Sequence, residues 1–237
     1  MRPDDRPPSH KVAADLRAQI MAGRLAPEEK LPSTAQLAAE YDVVTTTVQN
    51  AVKILKDEGF VTSKTGSGVY VRDRHPFVVD ASAYYDPASR GVTYRLLDVV
   101  PDLEAPADVA QALGEDRAVL RHRMTLRGDE PLELSWSYYP LSIAAGTPLT
   151  GRGKIRGGAP AVLAEAGYPE REFVDRVSSR LPTPEEAELL ELPPGLTVLR
   201  QFRTIYSDDA RPVEVSILIK DAHLYELMYR QVIAEDE

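Results

Sequence analysis

From Thr45 onward the apolar residues Val48, Ala51, Val52 and Leu55 fall at i, i+3, i+4 and i+7, the spacing of one buried helical stripe. Gly59 follows as the C′ residue that closes this helix. Upstream, Ser33 stands three residues before Gln36, the spacing of a capping box, so a helix is expected from about Thr34, ending at the break Tyr41-Asp42-Val43. The period then drops to two. Phe60-Val61-Thr62-Ser63-Lys64 and Val69-Tyr70-Val71-Arg72 read as strands around Thr65-Gly66-Ser67-Gly68. Two short helices followed by a two-stranded flap predict a winged helix-turn-helix over residues 1–72. Ahead of it, after a frayed lead, Ser9 is expected to cap a helix carrying Val12, Leu16 and Ile20 inward and ending at Gly23; Lys11 and Arg17, off that stripe, are expected on a solvated face.

Arg72-Asp73-Arg74-His75-Pro76 marks a boundary, because proline biases His75 away from helix. Residues 73–92 are read as a linker and the first segment of a second domain, which occupies residues 93–237. Strands are expected at Tyr94 to Val100, Ala118 to Arg127, Leu132 to Tyr139, Phe173 to Leu181, Leu196 to Tyr206 and Val213 to Ile219. Helices are expected at Pro106 to Leu113, Pro160 to Ala166 and Pro184 to Leu190. Hairpins around Gly128-Asp129-Glu130-Pro131 and Ser207 to Pro212 dominate, so the domain should hold an antiparallel sheet with helices on one side. The whole is an α+β chain.

A length of 237 residues fits two ordinary domains, and 43% apolar with 27% charged residues is a globular composition. Cysteine is absent, which removes disulfides, thiolate metal sites and cysteine nucleophiles and fits a reducing cytoplasm. Met1 to Pro8 is charged and proline-rich, and no apolar run approaches the ~18 residues of a span, so neither export nor membrane insertion is expected. Charge is unevenly divided. Residues 1–74 carry 11 Lys+Arg against 10 Asp+Glu, and the remainder 17 against 27. The near-neutral head implies only a modest non-specific pull on phosphate.

The head resembles the amino-terminal reading domain of the GntR family of bacterial transcription regulators. The residues that carry this are Gly23-Arg24-Leu25-Ala26-Pro27, Leu31-Pro32-Ser33, Leu37-Ala38, Thr46-Thr47-Val48, Ala51, Leu55, Glu58-Gly59 and Gly66-Ser67-Gly68-Val69-Tyr70-Val71. The second half resembles the UTRA effector-sensing domain of the HutC branch, whose fold is similar to that of chorismate lyase. This second resemblance rests on Val119-Leu120-Arg121-His122-Arg123, Asp129-Glu130-Pro131-Leu132-Glu133, the Pro160 to Gly167 helix and Pro212-Val213-Glu214-Val215-Ser216. It implies a homodimeric, effector-responsive repressor of double-stranded operator DNA, with no cofactor and no metal.

Base-edge chemistry then ranks the head. Arg prefers guanine, Gln and Asn pair with adenine, and a Thr methyl packs on the thymine methyl. Where the family carries Ser-Arg and further arginines, this chain has Val44, Thr45, Gln49 and Ala35, so its readout leans towards A·T. The candidate DNA-contacting residues are Ser33, Thr34, Thr45, Thr46, Thr47, Gln49, Asn50, Lys53, Lys64, Thr65, Gly66 and Ser67. Thr45 or Thr46 has the alternative role of helix cap, and Asn50 that of a merely exposed residue.

In the second domain Arg121, Arg123 and Arg127 fall on one face of one strand, and guanidinium forks suit planar anions. The resemblance implies that Arg121 and Arg123 hold an anionic group of a small-molecule effector, with Glu133 and Glu214 on its polar parts; Lys220 stands where some relatives carry a tyrosine. The serine that opens the mid-domain helix in phosphate-sensing relatives is absent from Arg156-Gly157-Gly158-Ala159-Pro160, which leaves other anions or a larger apolar effector open. Trp136, Tyr138 and Tyr139 are candidate walls of that site or simply core. Two rival functions remain at this point: an enzyme of lyase-like fold, and a head acting through protein contacts. His10, His75, His122 and His223 lack metal spacing and no nucleophile elbow occurs, so no catalytic residue is assigned.

Overall fold

The computed structural model describes residues 5–64, 66–72, 77–80, 91–222 and 225–229. The chain divides into two compact units, Met1–Phe77 with Pro193–Leu196, and Val78–Leu192 with Thr197–Glu237.

The first unit holds α1 (Pro8–Met21), α2 (Thr34–Glu40), α3 (Thr45–Asp57), β1 (Val61–Lys64) and β2 (Gly68–Val71). The expected Ser33–Gln36 capping box opens α2. Ser9 does not cap α1; the cap is Pro7, with Pro8 at the first helical position, where a missing N–H costs nothing. Asp42 turns the chain between α2 and α3 at φ 51, and Gly59 leaves α3 at φ +72. The inward stripe of α3, Val48, Ala51 and Leu55, is fully buried against Val12, Leu16 and Leu37. A third strand-like segment braces the wing: the Leu31 and Glu28 N–H groups donate to the Val69 and Val71 carbonyls at 2.8 and 3.0 Å. Arg17 is not solvated as expected. It forms an ion pair with Glu58 at 2.6 Å and lies 5.7 Å over Phe60, tying α1 to the end of α3.

The second unit is built on six antiparallel strands, β4 (Thr93–Glu104), β5 (Arg117–Arg127), β6 (Glu130–Pro140), β7 (Glu172–Arg180), β8 (Val198–Tyr206) and β9 (Pro212–Asp221), in the order β4-β5-β6-β9-β8-β7. β3 (Phe77–Asp80) and β10 (Tyr225–Met228) form a separate pair. The order is symmetric. β4, then α4 (Ala107–Leu113), β5 and β6 make one half; β7, then α7 (Pro184–Leu189), β8 and β9 make the other; and β6 joins β9 at the seam.

Helices cover both faces, not one. α4 and α7 pack over the even-numbered residues of β5 and β6, such as Ala118, Tyr138, Met124 and Leu134. On the opposite face, Val119, Tyr139 and Ile205 pack under α5 (Leu141–Ala144), the short turn Pro148–Thr150 and α6 (Gly158–Glu165). Alternation places these two sets on opposite sides of the sheet, and the single-sided expectation fails because apolar residues occur in both registers. Among the described residues no helix is long and apolar enough to cross a membrane.

Candidate nucleic-acid interface and ligand site

On α3 the face opposite the buried stripe presents Thr45, Thr46, Gln49, Asn50 and Lys53 to solvent, with Thr47 half-buried. Neither Thr45 nor Thr46 caps the helix. The N-cap is Val44, without a side-chain cap bond, and the Thr47 N–H donates to the Val44 carbonyl at 2.9 Å, so the exposed Thr45 and Thr46 stand at a helix start whose first amides have no side-chain cap, an arrangement suited to phosphate. Val44 itself is 68% exposed at the leading edge of this helix. In the sequence Val44 stands where the family carries serine, and the signal for its exposure is an apolar side chain at an N-cap. The Ser33 hydroxyl accepts from the Gln36 N–H at 3.3 Å, so Ser33 is first a cap; Thr34 beside it is half-buried.

In the wing, Gly66 and Ser67 are exposed and Thr65 lies outside the described residues. Lys64 is held by Glu28 at 2.9 Å and lies 4.6 Å over Tyr70, so a DNA contact must compete with a carboxylate. Lys30, missed in the sequence, bridges to Tyr70 and crosses Gly68 so closely that a Cβ there would come within 2.6 Å of its Cε. It adds a cation at the base of the wing.

In the second unit, strand register puts one residue from each of five strands in a row: Arg121 faces Ser137, Ser137 faces Ser216, Ser216 faces Arg203, and Arg203 faces Asp175. Around this row lie Arg123, Glu214, Gln201, Glu133 and Lys220. Arg123 donates to the Ser137 Oγ at 3.0 Å, Ser137 and Ser216 meet at 2.6 Å, and Ser216 donates to Glu214. Since Ser216 gives its hydrogen to Glu214, Ser137 must give its own to Ser216. Two hydroxyls thus relay the Arg123 cation to the Glu214 anion. Lys220, 2% exposed, pairs with Glu133 at 2.6 Å, and the Tyr225 hydroxyl donates to the same carboxylate at 3.1 Å. Burial holds the Lys220 ammonium below its usual range and Glu133 partly offsets this. Arg203 and Asp175 form a second buried pair at 2.7 Å, to which Gln201 donates at 2.8 Å.

Arg121 differs from the other cations of this face. It donates to the Leu149 and Gly151 carbonyls at 2.9 and 2.6 Å, and among the described residues it meets no carboxylate. Burial, then Arg123, lowers its pKa, while Tyr139 opposes the shift. Removing a charge from water without a counter-charge is costly, so this position favours an incoming anion. Tyr139 is fully buried on the same face; burial first, then Glu214, raises its phenol well above the ordinary range. Trp136 and Tyr138 lie on the other face, with α4, and do not wall the site. Arg127 ends the hairpin, 2.9 Å from Glu130, outside the cluster. Glu133, expected to orient ligand hydroxyls, is already engaged by Lys220 and Tyr225. Ser137, Ser216, Arg203 and Asp175 were missed, although Glu133-Leu134-Ser135-Trp136-Ser137 alternates polar and apolar residues as an exposed or site-lining strand face does.

The model of the bacterial regulatory proteins of the gntR family matches residues 8–71, and that of the UTRA domain matches residues 89–226. An HTH-type transcriptional regulator of Streptomyces coelicolor is 31% identical over 235 residues, covering 89% of this chain and 87% of its own length. The mannosyl-D-glycerate transport/metabolism system repressor MngR of Escherichia coli is 26% identical over 58% of this chain and 60% of its length. The crystal structure of a GntR-family transcriptional regulator superposes with a TM-score of 0.68 at 29% identity, covering 97% of this chain and 99% of that one.

Proposed function

The chain belongs to the GntR family of bacterial transcription regulators, with a GntR head followed by a UTRA domain, and from that premise we propose that it is a homodimeric repressor released from an inverted-repeat operator by a small anionic effector. Its relatives are regulators and not enzymes. DNA binding is assigned to residues 1–72, and effector sensing and dimerisation to residues 93–237, in the cytoplasm. The observation that carries the reading of the head is the exposed Thr45, Thr46, Gln49, Asn50 face of α3 beside an uncapped helix start. A repressor relative supports the direction of regulation. For the sensor, the supporting observation is Arg121, a buried cation bound to carbonyls and to no described carboxylate. An effector that answers this charge shifts the chain only if it binds the non-DNA-binding arrangement better, with a typical coupling of about 1–3 kcal/mol.

The test is selection of binding sites from random duplex DNA by the purified chain, followed by gel-shift titration of the selected site with small anions and cell extract. The expected result is a near-palindrome whose half-sites lie about one helical turn apart, A·T-leaning at contacted positions, and release by an anionic fraction. A non-symmetric or wholly G·C-dependent site would sink the reading of the head; release only by uncharged compounds would sink that of the sensor.

A further inference from the structure

The six-stranded sheet ends in two edges of different character. Along β4 the edge is blunted: Pro101 removes a donor, and register shifts against β5 fall between Leu96 and Asp98 and between Val100 and Leu103, features that discourage another strand from pairing there. β7 carries neither device. It follows β8 without a shift from Glu172 to Arg180, contains no proline, and leaves Val174 and Val177 46% and 45% exposed. Among the described residues no strand pairs with its outer side, and a regular, partly apolar edge of this kind is a template for pairing.

One side of that edge is self-complementary. Glu172, Val174 and Arg176 alternate onto a single face and all three are exposed; among the described residues neither charge has an ion pair. Residues directly opposite in an antiparallel pair form the unit of sheet stabilisation, and a two-fold axis presents the same patch twice. With the axis at Val174, that valine meets its own copy, and on each side Glu172 lies opposite the partner's Arg176. An axis at Arg176 would instead oppose two guanidinium groups and offer Glu172 only Arg180, whose fork is already closed on Glu186 at 2.6 Å.

We propose that two copies of the chain join through β7, antiparallel about a two-fold axis at Val174, so that their sheets run on as one. This deepens the dimeric reading above by naming its surface, and rests on that reading for the presence of a second copy.

The experiment is sedimentation of the full chain over a dilution series, with light scattering to fix mass and circular dichroism to confirm folding. The native chain is expected to dimerise. Arg176→Glu and Glu172→Arg each turn two attractive pairs into like-charge pairs and should weaken self-association at least about tenfold, whereas the doubly swapped Glu172→Arg/Arg176→Glu chain should return to native affinity. Tyr94→Lys, on the β4 edge, should leave it unchanged. Folded single variants that dimerise as tightly as the native chain, or a double variant as weak as the singles, overturn β7 as the interface while leaving a dimer in place. A native chain that stays monomeric overturns both the interface and the dimer.

Discussion

Arg121 and Arg123 are two residues apart, yet replacing them should have different consequences. Arg121→Ala removes two charge-assisted bonds to the Leu149 and Gly151 carbonyls, each worth about 1.5–3 kcal/mol, so the sensor unit should lose about 3 kcal/mol in denaturant titrations as well as its response to effector. Arg123→Ala breaks the relay to Glu214 through two hydroxyls and should give a folded chain that binds its operator normally but is not released. Full release of the Arg123→Ala protein in a gel-shift titration would remove that residue from the sensor. Gln49→Ala on α3 should relax preference at one base pair per half-site, at about 1–3 kcal/mol, measured by repeating the selection. His122 makes a pH prediction. It stacks on Trp136 at 4.2 Å, and burial, opposed by Glu185 and Asp98, holds its imidazole below the ordinary 6.5. The unfolded chain therefore takes up this proton first, so the contribution is full above about pH 6.5 and is lost as pH falls through that value towards the folded pKa. Thermal melts from about pH 8 to about pH 5 should fall more steeply for the native chain than for His122→Phe.

At the scale of elements, the wing offers a direct test of geometry. Gly68 has φ +128 and no room for a Cβ beside Lys30; Gly68→Ala should displace Lys30, weaken DNA binding at low salt, and leave the α1–α3 core intact by circular dichroism. Helices and hairpins of this chain were legible in the sequence wherever a period was backed by a stop signal: Ser33 and Gln36 for α2, Gly59 for α3, Gly128-Asp129 for the β5–β6 turn. β3, β10 and α5 were not, because runs of about four residues are too short for a period to emerge. The arginines and glutamates of the polar cluster were named from the sequence but its serines were not, since Ser137 and Ser216 meet only when β6 and β9, far apart in sequence, are set side by side. The ion pair of Lys64 was hidden for a similar reason: its partner Glu28 lies 36 residues away in the chain.

Across the whole molecule, the unequal charge of the two parts of the sequence bears on DNA affinity. With 11 Lys+Arg against 10 Asp+Glu in residues 1–74, few phosphates can be neutralised, so the plot of log K against log salt should be shallow. Glu28→Gln, which releases Lys64, should steepen it by about one unit if the freed ammonium reaches phosphate; an unchanged slope would drop Lys64 from the contact list. The symmetric strand order has a further consequence, for how the protein is made. β4, β5 and β6 are complete once Pro140 has left the ribosome, but the strand that covers β6 begins only at Pro212. Local hairpins close within about microseconds, whereas translation takes about a second for every 5–20 residues. During synthesis the polar row of β6, with Glu133 still lacking Lys220, therefore stands as an open edge for seconds, and a nascent chain held between Pro140 and Pro212 is the form of this protein most in need of a chaperone.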